Sequence, residues 1–128
     1  MPKQIIESKK VPAPIGPYSQ GVIANGFFFA SGQVAFGPAT GELVLSDIKS
    51  ETKQVMENMH SLLEAANLSF ANVVKTTIFL SDMALFAQVN EVYGSYFTSN
   101  FPARETVAVK TLPRNVNVEI SITAVIAL

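Results

Sequence analysis

The sequence predicts an α+β fold in which one mixed six-stranded sheet carries two helices on a single face. Three observations point there. Two segments place apolar residues at helical spacing among β-branched runs, giving the order β-ββ-α-β-α-ββ. No linker, low-complexity tract or internal repeat interrupts this order, so one domain spanning residues 1–128 is expected. Finally, Phe27-Phe28-Phe29 and the tail Val125-Ile126-Ala127-Leu128 are apolar on both faces of their strands, whereas a sheet with one wet face alternates. Something must cover the second face, most simply another subunit.

After a short Ile5-Ile6 pair flanked by charges, Val11 to Ser19 holds three prolines and a glycine. Proline fixes φ and forbids helix, so this stretch is a stiff extended loop. Gly21 to Ala24 and Phe27 to Val34 flank Asn25-Gly26, a pair that tolerates φ > 0 and suits a two-residue hairpin turn of type I′. Gly37 to Gly41 supplies another turn, and Ser46-Asp47 offers side-chain oxygens to cap a helix expected to run to about Asn67. Its stripe is Val55, Met56, Met59, Leu62, Leu63 and Ala66. Val73 to Leu80 is a β-branched and aromatic strand, ended by Ser81-Asp82. Those two residues cap a second helix bearing Leu85, Phe86, Val89, Val92, Tyr93 and Tyr96. Beyond a Phe101-Pro102 break, strands are expected over Thr106 to Leu112 and Val116 to Ala127, joined by a Pro113-Arg114-Asn115 turn.

Composition removes much chemistry. Zero cysteines exclude disulfides and thiol nucleophiles, and the lone His60 excludes histidine-cluster metal sites, so no metal and no cofactor is expected. His60 sits at the margin of the first helical stripe and reads as a boundary residue. Charged residues are 15% of the chain, against ~25% in ordinary soluble domains, which again suggests surface hidden in an oligomer. A net charge of −1 with no basic run gives nucleic acid no electrostatic footprint, so strong nucleic-acid binding is not expected. The N-terminus lacks the apolar core of a secretory signal, and no run approaches the ~20 apolar residues of a membrane span. A cytoplasmic location without membrane partners is the expectation.

Two charged residues stand out. Arg104 sits in an otherwise apolar stretch and needs a negative partner, because a buried unpaired guanidinium costs several kcal/mol. Either an internal carboxylate or a bound one would satisfy its planar fork. Glu119 shares one face of its strand with Asn117, Ser121 and Thr123. That face is either plainly solvated or a partly dry pocket in which a carboxylate with a raised pKa acts as general base. Tyr18 follows the rigid loop, so packing and ligand contact are both open to it. Ser31-Gly32 interrupts a Phe-rich strand, marking a bulge or a close backbone approach by a ligand. Asn90 lies about 100° from the centre of the second helical stripe, facing a cleft or water.

The stretches Ala13 to Gly21, Phe29 to Gln33, Val89 to Tyr93, Pro102-Ala103-Arg104 and Val118-Glu119-Ile120 together resemble the RidA/YjgF family over nearly the whole chain. The resemblance implies a chorismate-mutase-like fold, a homotrimer with its sheets facing inward, and active sites in clefts between subunits. It implies a deaminase that hydrolyses 2-imino acids, namely 2-iminobutanoate and 2-iminopropanoate, to 2-oxo acids and ammonia. The implied catalytic residues are Arg104 as carboxylate clamp, Glu119 as the group that activates water, and Tyr18 beside the substrate. The implied substrate-binding residues are Ser31, Gly32, Asn90 and Thr106, the last replacing a cysteine common in relatives and contributing its backbone carbonyl. Glu105 departs from the small residue usual after the arginine; alternation turns it to the opposite face, yet its charge still bears on anion attraction. A non-enzymatic trimer that binds small carboxylates, as a regulator or holdase, remains the alternative, and ribonuclease activity fits the charge poorly.

Overall fold

Asn25 and Gly26 both adopt positive φ, 50° and 80°, and this tight turn sets the first half of the sheet. The structure is a computed structural model that describes residues 2–127. The turn joins β2 (Gly21–Ala24) to β3 (Phe27–Gln33), and β1 (Gln4–Ile6) pairs antiparallel with β2. The other half holds β4 (Val73–Leu80), β5 (Ala103–Ala108) and β6 (Val118–Val125). The six strands lie in the order β1-β2-β3-β6-β4-β5, antiparallel throughout except for the parallel pair β4 and β5. This is the expected single mixed sheet.

Several boundaries differ from the sequence reading. β5 begins at Ala103, three residues before the expected Thr106, and ends at Ala108 rather than Leu112. Its length is set by its parallel partner: Ala103 to Ala108 match Lys75 to Leu80, and Val109 N–H closes the ladder on the Leu80 carbonyl. β6 starts at Val118 because residues 113–115 form a short helical turn. Helix α1 (Ile48–Ala65) stops short of Asn67, which takes a left-handed φ of 60°. Asp82 caps a single 3₁₀ turn over Met83–Leu85, not an α-helix directly, and α2 (Phe86–Gly94) follows it. Tyr96 therefore lies beyond the helix, where its hydroxyl donates to Glu57 at 2.8 Å.

Both helices cover one sheet face. Val55, Met56, Met59, Leu62 and Leu63 of the predicted stripe are buried against Phe28, Ile78, Leu80, Val118 and Ile120. On α2, Val89 and Tyr93 are buried, and the Tyr93 hydroxyl meets Thr76 Oγ1 of β4 at 2.8 Å. His60, at the stripe's margin, stacks on Phe70 with centroids 6.2 Å apart. The second face is open in this chain, with Phe27 41% and Phe29 46% exposed beside a buried Phe28. No helix among the described residues is long and apolar enough to cross a membrane.

One buried polar contact was invisible to pattern reading. Glu51, one turn before Val55, is fully buried and accepts from the Asn117 amide at 2.8 Å, the Asn117 side chain at 2.8 Å and the Val118 amide at 3.2 Å. Its carboxylate occupies the first turn of α1, where the helix dipole favours negative charge. Removing it takes the acceptor from two backbone amides and the Asn117 side-chain amide. Glu51→Ala is expected to cost about 3 kcal/mol, read as a melting temperature lower by roughly 10 °C in calorimetry; a shift below about 3 °C would rule out this contact as a tether.

Candidate functional site

Strand periodicity divides the site residues into two groups. On β6, Val118, Ile120, Ile122 and Ala124 are buried beneath the helices, so Glu119 turns to the open face with its register partner Phe79 of β4. On β5, Arg104 is the register partner of buried Thr76 and Thr106 that of buried Ile78, so both turn to the helix side. Within one chain, Arg104 and Glu119 lie on opposite faces of the sheet.

The Arg104 group is built on α2. Arg104 is exposed, on the strand that forms the sheet's edge, so it escapes the cost of a buried unpaired charge. Its Nη1 donates to Asn90 Oδ1 at 2.6 Å, and its Cζ lies 5.4 Å from the Phe86 ring centroid and 5.2 Å from that of Tyr93. Two aromatic faces and one amide fix the plane of the fork. No carboxylate pairs with it among the described residues. Burial pushes the Tyr93 hydroxyl above its ordinary pKa, against the opposing pull of Thr76 and the Arg104 charge, so it stays neutral. Thr106 Oγ1 is buried and without a hydrogen-bond partner among the described residues.

The Glu119 group lines an open cleft of about 860 Å³ together with Tyr18, Ser31 and Gly32. The register between β3 and β6 slips between Ala30 and Gln33, so the expected bulge is present at Ser31-Gly32. A Cβ built on Gly32 would stand 2.9 Å from Glu119 Cδ, closer than real side chains approach, and 3.1 Å from Cγ. Any larger residue here would displace the glutamate side chain, which lies directly against the Gly32 backbone. Burial pushes the half-buried Glu119 carboxyl above its usual range, with no opposing cause. Ser31 Oγ donates to the Ser19 carbonyl at 2.6 Å and its amide to Gln20 O at 2.9 Å, which fastens the proline loop to β3. Tyr18 follows that loop, yet its side chain is 56% exposed, so the loop positions its backbone rather than enclosing the ring.

Sequence reasoning overlooked three contributors. Phe86 and Tyr93 read as core, yet with Asn90 they sit at i, i+4 and i+7 on one helical face, a spacing that could have marked them as a cradle. Gln20 is buried, its amide donating to Pro12 O at 2.9 Å and Ser8 O at 3.3 Å while its oxygen accepts from Ser8 N at 2.6 Å. It pins both ends of the loop that bears Tyr18. Among the described residues no group of three His, Cys, Asp or Glu side chains could hold a metal ion.

The family described as Endoribonuclease L-PSP matches residues 8–126. A human protein named 2-iminobutanoate/2-iminopropanoate deaminase is 43% identical over 123 residues, covering 96% of this chain and 90% of that protein. A Yersinia pestis structure titled as the Rid-family protein YyfA superposes with a TM-score of 0.94 at 44% identity, covering 97% of this chain and 99% of the other. Escherichia coli TdcF, solved with bound serine, gives a TM-score of 0.90 at 38% identity over 95% of this chain and 98% of its own. With the family match spanning nearly the whole chain and the same sheet and helices recurring in these relatives, the chain belongs to the RidA/YjgF family.

Proposed function

We propose that the protein is a deaminase of reactive 2-imino acids, hydrolysing 2-iminobutanoate and 2-iminopropanoate to 2-oxo acids and ammonia. The observation that carries this reading is Arg104, its fork held flat by Asn90, Phe86 and Tyr93 with no carboxylate among the described residues to neutralise it. Such a fork is shaped for an external carboxylate, accepted through two parallel hydrogen bonds. The human relative's name and the serine bound to the bacterial relative both fit a small amino-acid-like ligand.

The site is shared between copies. A homotrimer with open sheet faces turned inward covers Phe27 and Phe29 and brings Arg104 of one copy to the Glu119 cleft of the next. Arg104 clamps the substrate carboxylate with Asn90 behind it, and Thr106 and the Ser31-Gly32 backbone line the pocket with Tyr18. Water adds to the iminium carbon while Glu119 takes its proton; the carbinolamine then passes a proton to nitrogen, expels ammonia and leaves the 2-oxo acid. Imines hydrolyse unaided in water, so a hundredfold gain requires only about 2.7 kcal/mol, within reach of one clamp, one base and one oriented water. No metal or organic cofactor is required for these steps.

Imine decay, with 2-iminobutanoate generated in place by threonine dehydratase and trapped by semicarbazide, tests the clamp. Arg104→Ala is expected to lower kcat/KM by at least about a hundredfold, and Arg104→Lys to recover little, because an ammonium lacks the bidentate fork. Near-wild-type turnover in either variant would refute the clamp. The base makes a pH signature. Glu119 must be ionised to accept a proton, and burial raises its pKa above the ordinary 4.5, so kcat/KM should fall as pH drops through a value higher than that. Glu119→Gln should slow turnover about a hundredfold and abolish this acid limb; an unchanged limb removes Glu119 from the mechanism. The shared site predicts complementation: Arg104→Ala and Glu119→Gln proteins, unfolded together and refolded at equal amounts, should regain about a quarter of wild-type activity, since about one interface in four is intact. A light-scattering mass of one chain, or no recovery, would refute the shared site.

A further inference from the structure

Arg114 lines the same cleft as Glu119, Tyr18 and Gly32, and the proposed hydrolysis of short imino acids gives it no task. It is placed there against its own backbone preference. Arg114 has φ 60° and ψ 17°, and Asn115 follows at φ 56°, two consecutive left-handed residues of which neither is glycine. Unfavourable backbone held by its surroundings is a reason to look for a function. The guanidinium lies 5.5 Å from the centroid of Phe36, itself a lining residue. Both supports are fastened. Buried Asn58 donates to the Phe36 carbonyl at 2.9 Å and to Val34 O at 3.1 Å, while the Glu51 carboxylate holds Asn117 and Val118 just after the turn.

Charge in the cleft is unbalanced. Lys9, Lys10 and Arg114 line it against one carboxylate, Glu119. Lys10 reaches Glu64 at 3.5 Å, whereas Arg114 pairs with no carboxylate among the described residues. A planar fork stacked on a ring and left without an anion suits a bound carboxylate, as Arg104 does on the other face. The clamp for the reacting end of the substrate is already Arg104, so a second fork in the cleft has only a second acidic group to bind.

We propose that Arg114 forms a distal-carboxylate subsite, so that the cleft selects 2-imino dicarboxylic acids of the iminosuccinate and iminoglutarate class over monocarboxylic counterparts with short apolar side chains. The proposal rests on the imine-deaminase reading for the position of the first carboxylate. Arg104 takes the carboxylate beside the imine, and Arg114 takes the one at the far end of the side chain.

Calorimetric titration of the assembled protein with two stable products, 2-oxoglutarate and 2-oxobutanoate, tests it, with iminobutanoate turnover measured alongside. Wild type is expected to bind 2-oxoglutarate at least about tenfold more tightly than 2-oxobutanoate. Arg114→Gln should reduce that ratio to near unity, and Arg114→Lys should retain part of it, since a point charge keeps the attraction but loses the fork. Equal affinities in wild type, or a ratio unmoved by Arg114→Gln, would overturn the subsite whatever the imine assay reads. Iminobutanoate turnover without that discrimination leaves the deaminase reading standing and the subsite refuted. Discrimination without turnover of any imine sinks the deaminase reading alone and leaves Arg114 as a dicarboxylate-binding group.

Discussion

The buried carboxylate of Glu51 is the contact on which the geometry of the cleft depends. It joins the first turn of α1 to the first residues of β6, accepting from Asn117 N at 2.8 Å and Val118 N at 3.2 Å. Glu119 is the next residue along the strand, so the contact that ends the preceding turn also fixes where the proposed base starts. Burying a carboxyl group is costly unless hydrogen bonds replace its hydration, and three donors do so here. Two turns further along α1, Asn58 performs the matching task for the chain leaving β3 by holding the carbonyls of Val34 and Phe36. The apolar stripe of α1 attaches the helix to the sheet, and these two polar side chains determine the position at which it attaches.

A second constraint follows from the two-residue period of a strand. Arg104 pairs in register with a residue under the helices, and Glu119 with one on the open face, so no side-chain rotation brings them together in one chain. Hydrolysis that needs both groups therefore needs two copies. The same open face carries Phe27 and Phe29 half in solvent, an apolar surface that assembly would remove from water. Under the proposed reading, oligomerisation is part of the active site rather than an addition to it.

Much of this was legible in the sequence, and the losses have physical causes. The Asn25-Gly26 turn, the α1 stripe and the order of elements along the chain rest on local rules of φ and periodicity, and each appears in the structure. The bulge at Ser31-Gly32 was also readable, but not its cause, because the glutamate that crowds Gly32 lies 87 positions away. Strand β5 was misplaced since its ends come from pairing with β4, a non-local matter that the propensity of Thr106 to Leu112 does not encode. Arg104 stands out as a charge at the entry of an apolar strand and Glu119 as a carboxylate on a polar strand face, yet their separation to opposite faces needed the register. Glu51 escaped notice because a carboxylate in the first turn of a helix ordinarily faces water.

The register also settles what Glu105 does to its neighbour. A carboxylate one residue from Arg104 could be expected to cancel the clamp, since unit charges 4 Å apart still interact by about 1 kcal/mol in water. Glu105 pairs in register with Thr77 on the open face, however, and its Oε1 lies 3.0 Å from the Lys75 ammonium. Its charge is thus turned away from the guanidinium and countered on its own side of the sheet. Arg104 meanwhile has a neutral amide and two aromatic rings for company, none of which competes for its full charge. Under the proposed reading, glutamate at this position leaves the fork of Arg104 free for a substrate carboxylate, because strand alternation separates the two charges and Lys75 answers that of Glu105.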